Sequence, residues 1–180
     1  MSWKEINTGL EKMDKKQLIC IIKDMYAANK TNKTFLSAKL CSTSFDKILE
    51  EAKQKIENQF FPKRGYGKCN LVVAKKAISD YKTITHDEVG YLDLMLTYVE
   101  QGVLYVNEYG DIKENAYDSM QGVFDKFVAH LKKKKDATLF VNFQNRIEDL
   151  KISVSDIGYG FGDEVSDDIK KLIRFFDKKE

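Results

Sequence analysis

The chain has 180 residues, 43% of them hydrophobic, and carries 30 lysines and arginines against 28 aspartates and glutamates. That supplies enough apolar surface for a buried core, and the near-balance of charge excludes a whole-surface field that would steer a polyanion. No apolar run reaches the roughly eighteen residues of a membrane span, and the start, MSWKEINTGLEKMDKK, lacks the apolar centre of a secretory signal, so a soluble cytoplasmic protein without a membrane partner is expected.

One proline, ten glycines and apolar residues at intervals of three and four predict an all-α fold: one domain over residues 1–180, with seven or eight helices packed as antiparallel hairpins. The first clear helix follows Asp14 as N-cap and aligns Leu18, Ile19, Ile22, Met25 and Tyr26. A short second helix holds Phe35, Leu36 and Leu40. Ser44 is placed to cap a third, with an apolar stripe of Phe45, Ile48, Leu49, Ala52, Ile56 and Phe60. Pro62 disfavours helical backbone at the residue before it, so this helix must end near Phe61.

Gly65 and Gly67 then let the chain turn, and the next helix starts at about Leu71, with Leu71, Ala74, Ile78 and Tyr81 inward. Thr85-His86-Asp87-Glu88 has the form of a capping box opened by Thr85, with Ile84 and Val89 as its hydrophobic staple. The long helix that follows is expected to end at a left-handed Gly110. Another is expected from Asp111, with Tyr117, Met120, Phe124, Phe127, Val128 and Leu131 inward and Lys132–Lys135 in its last turn, where cations oppose the helix dipole. Asp136 caps a further helix. Residues 151–163, β-branched and then glycine-rich, read as an irregular connection before a final helix through Val165, Ile169, Leu172, Ile173 and Phe176.

Chemistry-bearing motifs are incomplete. Gly65-Tyr66-Gly67-Lys68 lacks the spacing and the Ser or Thr of a phosphate-binding loop and follows a helix rather than a strand. Gly158-Tyr159-Gly160-Phe161-Gly162 has Asp163 where a dinucleotide fingerprint has its third glycine. Cys20, Cys41 and Cys69 are widely spaced, which argues for reduced structural thiols rather than disulfides or a zinc site. His86 and His130 have no partner at a metal or triad spacing. No catalytic, cofactor-binding or metal-binding residue is therefore assigned, and no cofactor is expected.

Two features stand out. From Phe60 to Lys82 six basic residues, Lys63, Arg64, Lys68, Lys75, Lys76 and Lys82, face a single acid, Asp80. Either they form an ordinary solvated face, or Lys63, Arg64, Lys68, Lys75 and Lys82 contact nucleic-acid phosphates. On the long helix Tyr91, Tyr98, Tyr105 and Tyr109 fall close together at 100° per residue. They either pack as core or make an aromatic strip for a protein partner or a second protomer.

The segments LEKMDKKQLICIIKDMY, FFPKRG, AKKAISDYK and DLMLTYVEQGVLYVNEYGDI followed by YDSM, in this order and spacing, resemble an uncharacterised bacterial family found largely in Bacteroidota, the domain of unknown function catalogued as sixty-one fifty-five. The resemblance covers about Leu10 to Phe127. It implies a bacterial cytoplasmic helical protein and carries no activity or functional residue over. The expected function is that of a non-enzymatic helical interaction domain. The alternatives are a nucleic-acid-binding protein using residues 60–82 and an enzyme with a pocket between helices.

Overall fold

The computed structural model describes residues 2–40 and 45–177. The fold is all-α, as expected. It has nine helices among the described residues rather than seven or eight: α1 (Trp3–Leu10), α2 (Lys15–Ala28), α3 (Lys30–Leu40), α4 (Phe45–Phe60), α5 (Leu71–Thr85), α6 (Glu88–Tyr109), α7 (Glu114–Lys134), α8 (Ala137–Ser153) and α9 (Phe161–Asp177). No described helix is long and apolar enough to cross a membrane. Ser44, the expected cap of α4, and Cys41 lie outside the described residues.

The chain divides into two compact units, residues 1–45 and 46–180. In the first, α1 is the helix that the periodicity does not announce. It starts from a capping box in which Ser2 Oγ accepts from the Glu5 amide and the Glu5 carboxylate accepts from the Ser2 amide. The Asp14 cap of α2 forms as expected, with Gln17 as its reciprocal partner. Asn29 separates α2 from α3, accepting from the Asn32 amide at 2.8 Å, and the two helices pack together. None of these three helices contains a buried residue.

The second unit is organised around α6. Half of its 22 residues are buried, among them Leu92, Leu94, Met95, Leu96, Tyr98, Val99, Val103 and Val106. A helix that is apolar over so wide an arc has to be covered on several sides. The covering helices are α5, α7 and α8, while α9 packs on α7 and α8. Helix α4 buries Ile48, Ala52, Ile56 and Phe60, and Phe60 reaches the ring of Tyr98 at 5.9 Å. Phe45, expected in that stripe, is exposed.

Several helix boundaries depart from expectation. Thr85 does not open a capping box: it ends α5, where its hydroxyl donates to the Tyr81 carbonyl and accepts from the Asp87 amide. His86 takes the left-handed C-cap conformation. Asp87 is the N-cap of α6, accepting from the amides of Val89 and Gly90 and from the Tyr81 hydroxyl at 2.5 Å. Glu88 turns away to His130 and Lys134, and Val89, the expected half of a staple, is exposed. Gly110 has positive φ, but its ψ of −171° places it outside the left-handed helical region. Helix α7 begins at Glu114, because Asp111 is engaged by the Tyr117 hydroxyl at 2.8 Å instead of capping. The stretch expected to be irregular, 151–163, is helical at both ends: α8 runs to Ser153 and α9 begins at Phe161.

One ionic cluster ties three helices. Arg146 on α8 binds Glu100 on α6 through Nε at 2.9 Å and Nη2 at 2.6 Å, and donates to Asp93 on α6 at 2.5 Å and to Thr97 at 3.1 Å. Lys53 on α4 takes the other oxygen of Asp93 at 2.7 Å. Burial alone would raise the Asp93 carboxyl, but the hydrogen bonds from Lys53 and Arg146 outweigh it and hold the group below its usual value. With the folded pKa below the unfolded value near 3.8, this stabilisation is present above that value and is lost as pH falls through the folded one. Thermal melts should therefore hold a steady Tm from neutral pH down to about pH 4 and fall below it. Asp93→Asn should melt lower at neutral pH and lose less on acidification. A wild-type-like acid limb in Asp93→Asn would dissociate the cluster from acid stability.

Gly162, in the first turn of α9, lies against the backbone carbonyls of Val154 and Ile157, where an added Cβ would clash with both oxygens. A Cβ added at Gly158 would meet nothing within 4 Å among the described residues beyond its chain neighbours. Gly162→Ala is expected to cost about 1–3 kcal/mol by urea denaturation, and Gly158→Ala to stay within about 0.5 kcal/mol of wild type.

Candidate functional site

Helix α4 stops at Phe60, and the loop after Pro62 folds back on it: Gly67 is pressed against the Phe60 carbonyl, an approach that leaves no room for a Cβ, and the Cys69 amide donates to the Gln59 carbonyl at 2.8 Å. Gly65 has φ +75°, a value that suits glycine. Asn70 then caps α5, accepting from the Val73 amide at 3.2 Å. The loop is a connector, and its anchoring sets Lys68 at the edge of a concavity.

That concavity is a trough in the second unit with α5 and α7 as walls and α6 as floor. Its larger part, about 660 Å³, is lined by Lys68, Cys69 and Lys75, by Tyr105 of α6, and by Asp111, Lys113 and Ser119 on the α7 side. A second part, about 340 Å³, is lined by Lys75, Ser79 and Lys82 of α5, Tyr91 and Met95 of α6, and Val123 and Lys126 of α7. Lys75 lines both. Five lysines thus border the trough, and among the described residues none of them has an ion-pair partner. Asp111, the sole acid among the described lining residues, accepts the hydroxyl of Tyr117, which burial and then this carboxylate push up to about 12. Lys113, one of the five, is the N-cap of α7 and offers no side-chain acceptor to the first amides of that helix.

The tyrosines do not form an exposed strip. Tyr98 is fully buried, with its hydroxyl 2.9 Å from Ser119 Oγ. Tyr91 is half-buried, with the Lys82 ammonium 4.3 Å from its ring centre and His130 edge-on at 6.0 Å. Tyr105 is half-buried, 4.9 Å from the exposed Tyr109, and both contact Phe61. Its hydroxyl is hydrogen-bonded to the Cys69 thiol. Tyr91 and Tyr105 are therefore trough floor, Tyr98 is core, and Tyr109 is surface, in contact with Tyr66.

Of the predicted basic residues, Lys68, Lys75 and Lys82 line the trough. Lys63 and Arg64 are exposed in the loop and line neither part, and Lys76 is occupied by Asp80 at 2.9 Å. Lys113 and Lys126 were not anticipated: they lie far along the chain and carry no local signal that they face α5. His130 pairs with Glu88 at 2.5 Å, a carboxylate that Lys134 also takes at 2.8 Å, and neither histidine lines the trough. The described residues contain no cluster of three or more potential metal ligands.

Fold and site together define an all-α protein with a basic, tyrosine-floored concavity. The chain belongs to DUF6155, a family of unknown function, whose pattern it matches over residues 1–157, so that all of α1–α8 and the whole trough fall within the family and α9 beyond it. No curated protein and no solved structure matches the chain.

The burial of Tyr98 generates a test of the tyrosine reading. Tyr98→Ser should destabilise the protein by about 3–5 kcal/mol in urea titration, whereas Tyr98→Phe should lose about 1 kcal/mol with the hydrogen bond to Ser119. Retention of wild-type stability by Tyr98→Ser would contradict its placement in the core.

Proposed function

We propose that the protein binds a single-stranded nucleic acid along the α5–α7 trough. The observation that carries this reading is the convergence of Lys68, Lys75, Lys82, Lys113 and Lys126, without ion-pair partners among the described residues, on a concavity floored by Tyr91 and Tyr105. Unpaired lysines release counterions when they meet phosphates, and a tyrosine face between them accepts a base of any identity. A concave lysine lining favours a flexible strand over a duplex, whose major groove is entered by a protruding helix. Lys75 and Lys82 stand two turns apart on α5, about 10 Å along its axis, so the strand would follow the helix. Binding of this kind asks for no bond-making at the site, in keeping with a non-enzymatic role.

The test is fluorescence anisotropy with mixed-sequence single-stranded RNA and DNA. Four phosphate contacts would weaken binding about 50-fold between roughly 50 and 200 mM salt. Lys68→Gln, Lys75→Gln and Lys82→Gln combined should reduce the slope of log K against log salt by about 2, while Lys63→Gln with Arg64→Gln should leave it unchanged. Absence of binding at 50 mM salt, or a slope indifferent to the three trough lysines, would overturn the reading.

A further inference from the structure

The first unit poses a separate question, because α1, α2 and α3 carry large apolar side chains yet contain no buried residue. On α2 and α3 the apolar side chains Ile19, Ile22, Tyr26, Leu36 and Leu40 line a groove of about 330 Å³. Within the described unit Leu36 is half-buried and the other four are exposed, Ile19 by 54% and Leu40 by 71%. Trp3, Ile6, Met13 and Met25 add further exposed apolar surface to the same unit. A contiguous apolar patch of this kind, rimmed by polar side chains, marks a surface that a partner covers.

The charge around the groove says which partner fits. Residues 15–40 carry six lysines, Lys15, Lys16, Lys23, Lys30, Lys33 and Lys39, against one acid, Asp24. Among the described residues none of them is in an ion pair. Lys23 is part of the groove wall, and Lys33 lies 5.5 Å from the ring centre of Tyr26, at its edge. Residues 1–45 as a whole hold eight basic and four acidic residues, so a second copy of this unit would bring like charge to like charge. A basic partner meets the same repulsion.

We infer that the α2–α3 groove is a docking site for an acidic amphipathic helix of another protein. The apolar stripe of the guest, spaced i, i+3, i+4 and i+7, lies on Ile19, Ile22, Tyr26 and Leu36, and its flanking glutamates and aspartates meet Lys23 and Lys33. The 14 residues of α2 give a platform about 21 Å long, which matches a guest of three to four turns. The inference is independent of the trough, since it concerns other residues in the other compact unit.

The probe is a labelled synthetic helix of about twenty residues, with leucines on one face and glutamates on the rest, compared with the same peptide carrying lysines for the glutamates. Full-length protein should bind the acidic peptide by anisotropy, at least ten times more tightly than the basic one, with affinity falling as salt rises. Ile19→Glu with Ile22→Glu should abolish binding while circular dichroism stays unchanged, both side chains being exposed. Lys23→Glu with Lys33→Glu, which leaves the apolar floor intact, should weaken it at least tenfold. Lys75→Gln with Lys82→Gln should leave it unaltered.

Four results would overturn the inference: no binding of the acidic peptide, equal binding of the basic one, loss of binding only in the trough variant, or a concentration-dependent dimer in sedimentation equilibrium that Ile19→Glu with Ile22→Glu dissolves. The last would assign the groove to a second copy of the chain.

Discussion

Helix α6 is apolar over too wide an arc to rest on a surface, and the architecture of the second unit follows from that constraint. Leu92, Leu96, Tyr98, Val99 and Val103 face more than one neighbour, so α5, α7 and α8 gather around one axis rather than stacking as a layer. Burial of each large side chain is worth about 1.5–3 kcal/mol. At Gly102 the Met120 side chain of α7 occupies the space a Cβ would need. Where α6 leaves its arc incompletely covered, between α5 and α7, the trough opens with Tyr91 and Tyr105 as its floor. The site is thus a by-product of how the central helix is wrapped.

Polar groups hold that wrapping in register. Arg146 bridges Glu100 and Asp93 while Lys53 shares Asp93, so α4 and α8 are bound to α6 by one carboxylate and its neighbour. A partly buried charge is expensive when unpaired, and here each carries at least one close counter-charge. At the start of α6 the Asp87 carboxylate serves two α6 amides and the Tyr81 hydroxyl, and Gly90 is small enough to admit both groups. That corner ties α5, a wall of the trough, to α6, its floor.

Much of the fold was legible because helices announce themselves through spacing and breakers. Asp14, Asp136 and Pro62 mark ends where the structure has them, and the buried positions of α7, α8 and α9 follow the 3.6-residue period. The Thr85 box misled because α5 runs on through Thr85, whose hydroxyl donates to the Tyr81 carbonyl and accepts from the Asp87 amide, while Asp87 takes the amides of Val89 and Gly90. Helix α1 escaped notice because its eight residues contain too few apolar positions to establish a period. The tyrosine spacing leaves core and strip both open, since it reports a shared face and not what covers it. For the site, the lysines of α5 stand in a basic run that the sequence shows, whereas Lys113 and Lys126 join them only through the packing of α7 on α6. Long-range proximity of that kind leaves no imprint on neighbouring residues.

The anchoring of the 61–70 loop also determines the reactivity of one thiol. Cys69 is held with φ +45° by the Gln59 carbonyl, which turns its side chain toward Tyr105 and partly out of water. Desolvation raises its pKa, and the hydrogen bond with Tyr105 offsets only part of that rise. At neutral pH Cys69 remains a thiol, the poorly nucleophilic form. A thiol at the rim of an open cleft thus presents less of its reactive thiolate than its exposure to solvent would suggest.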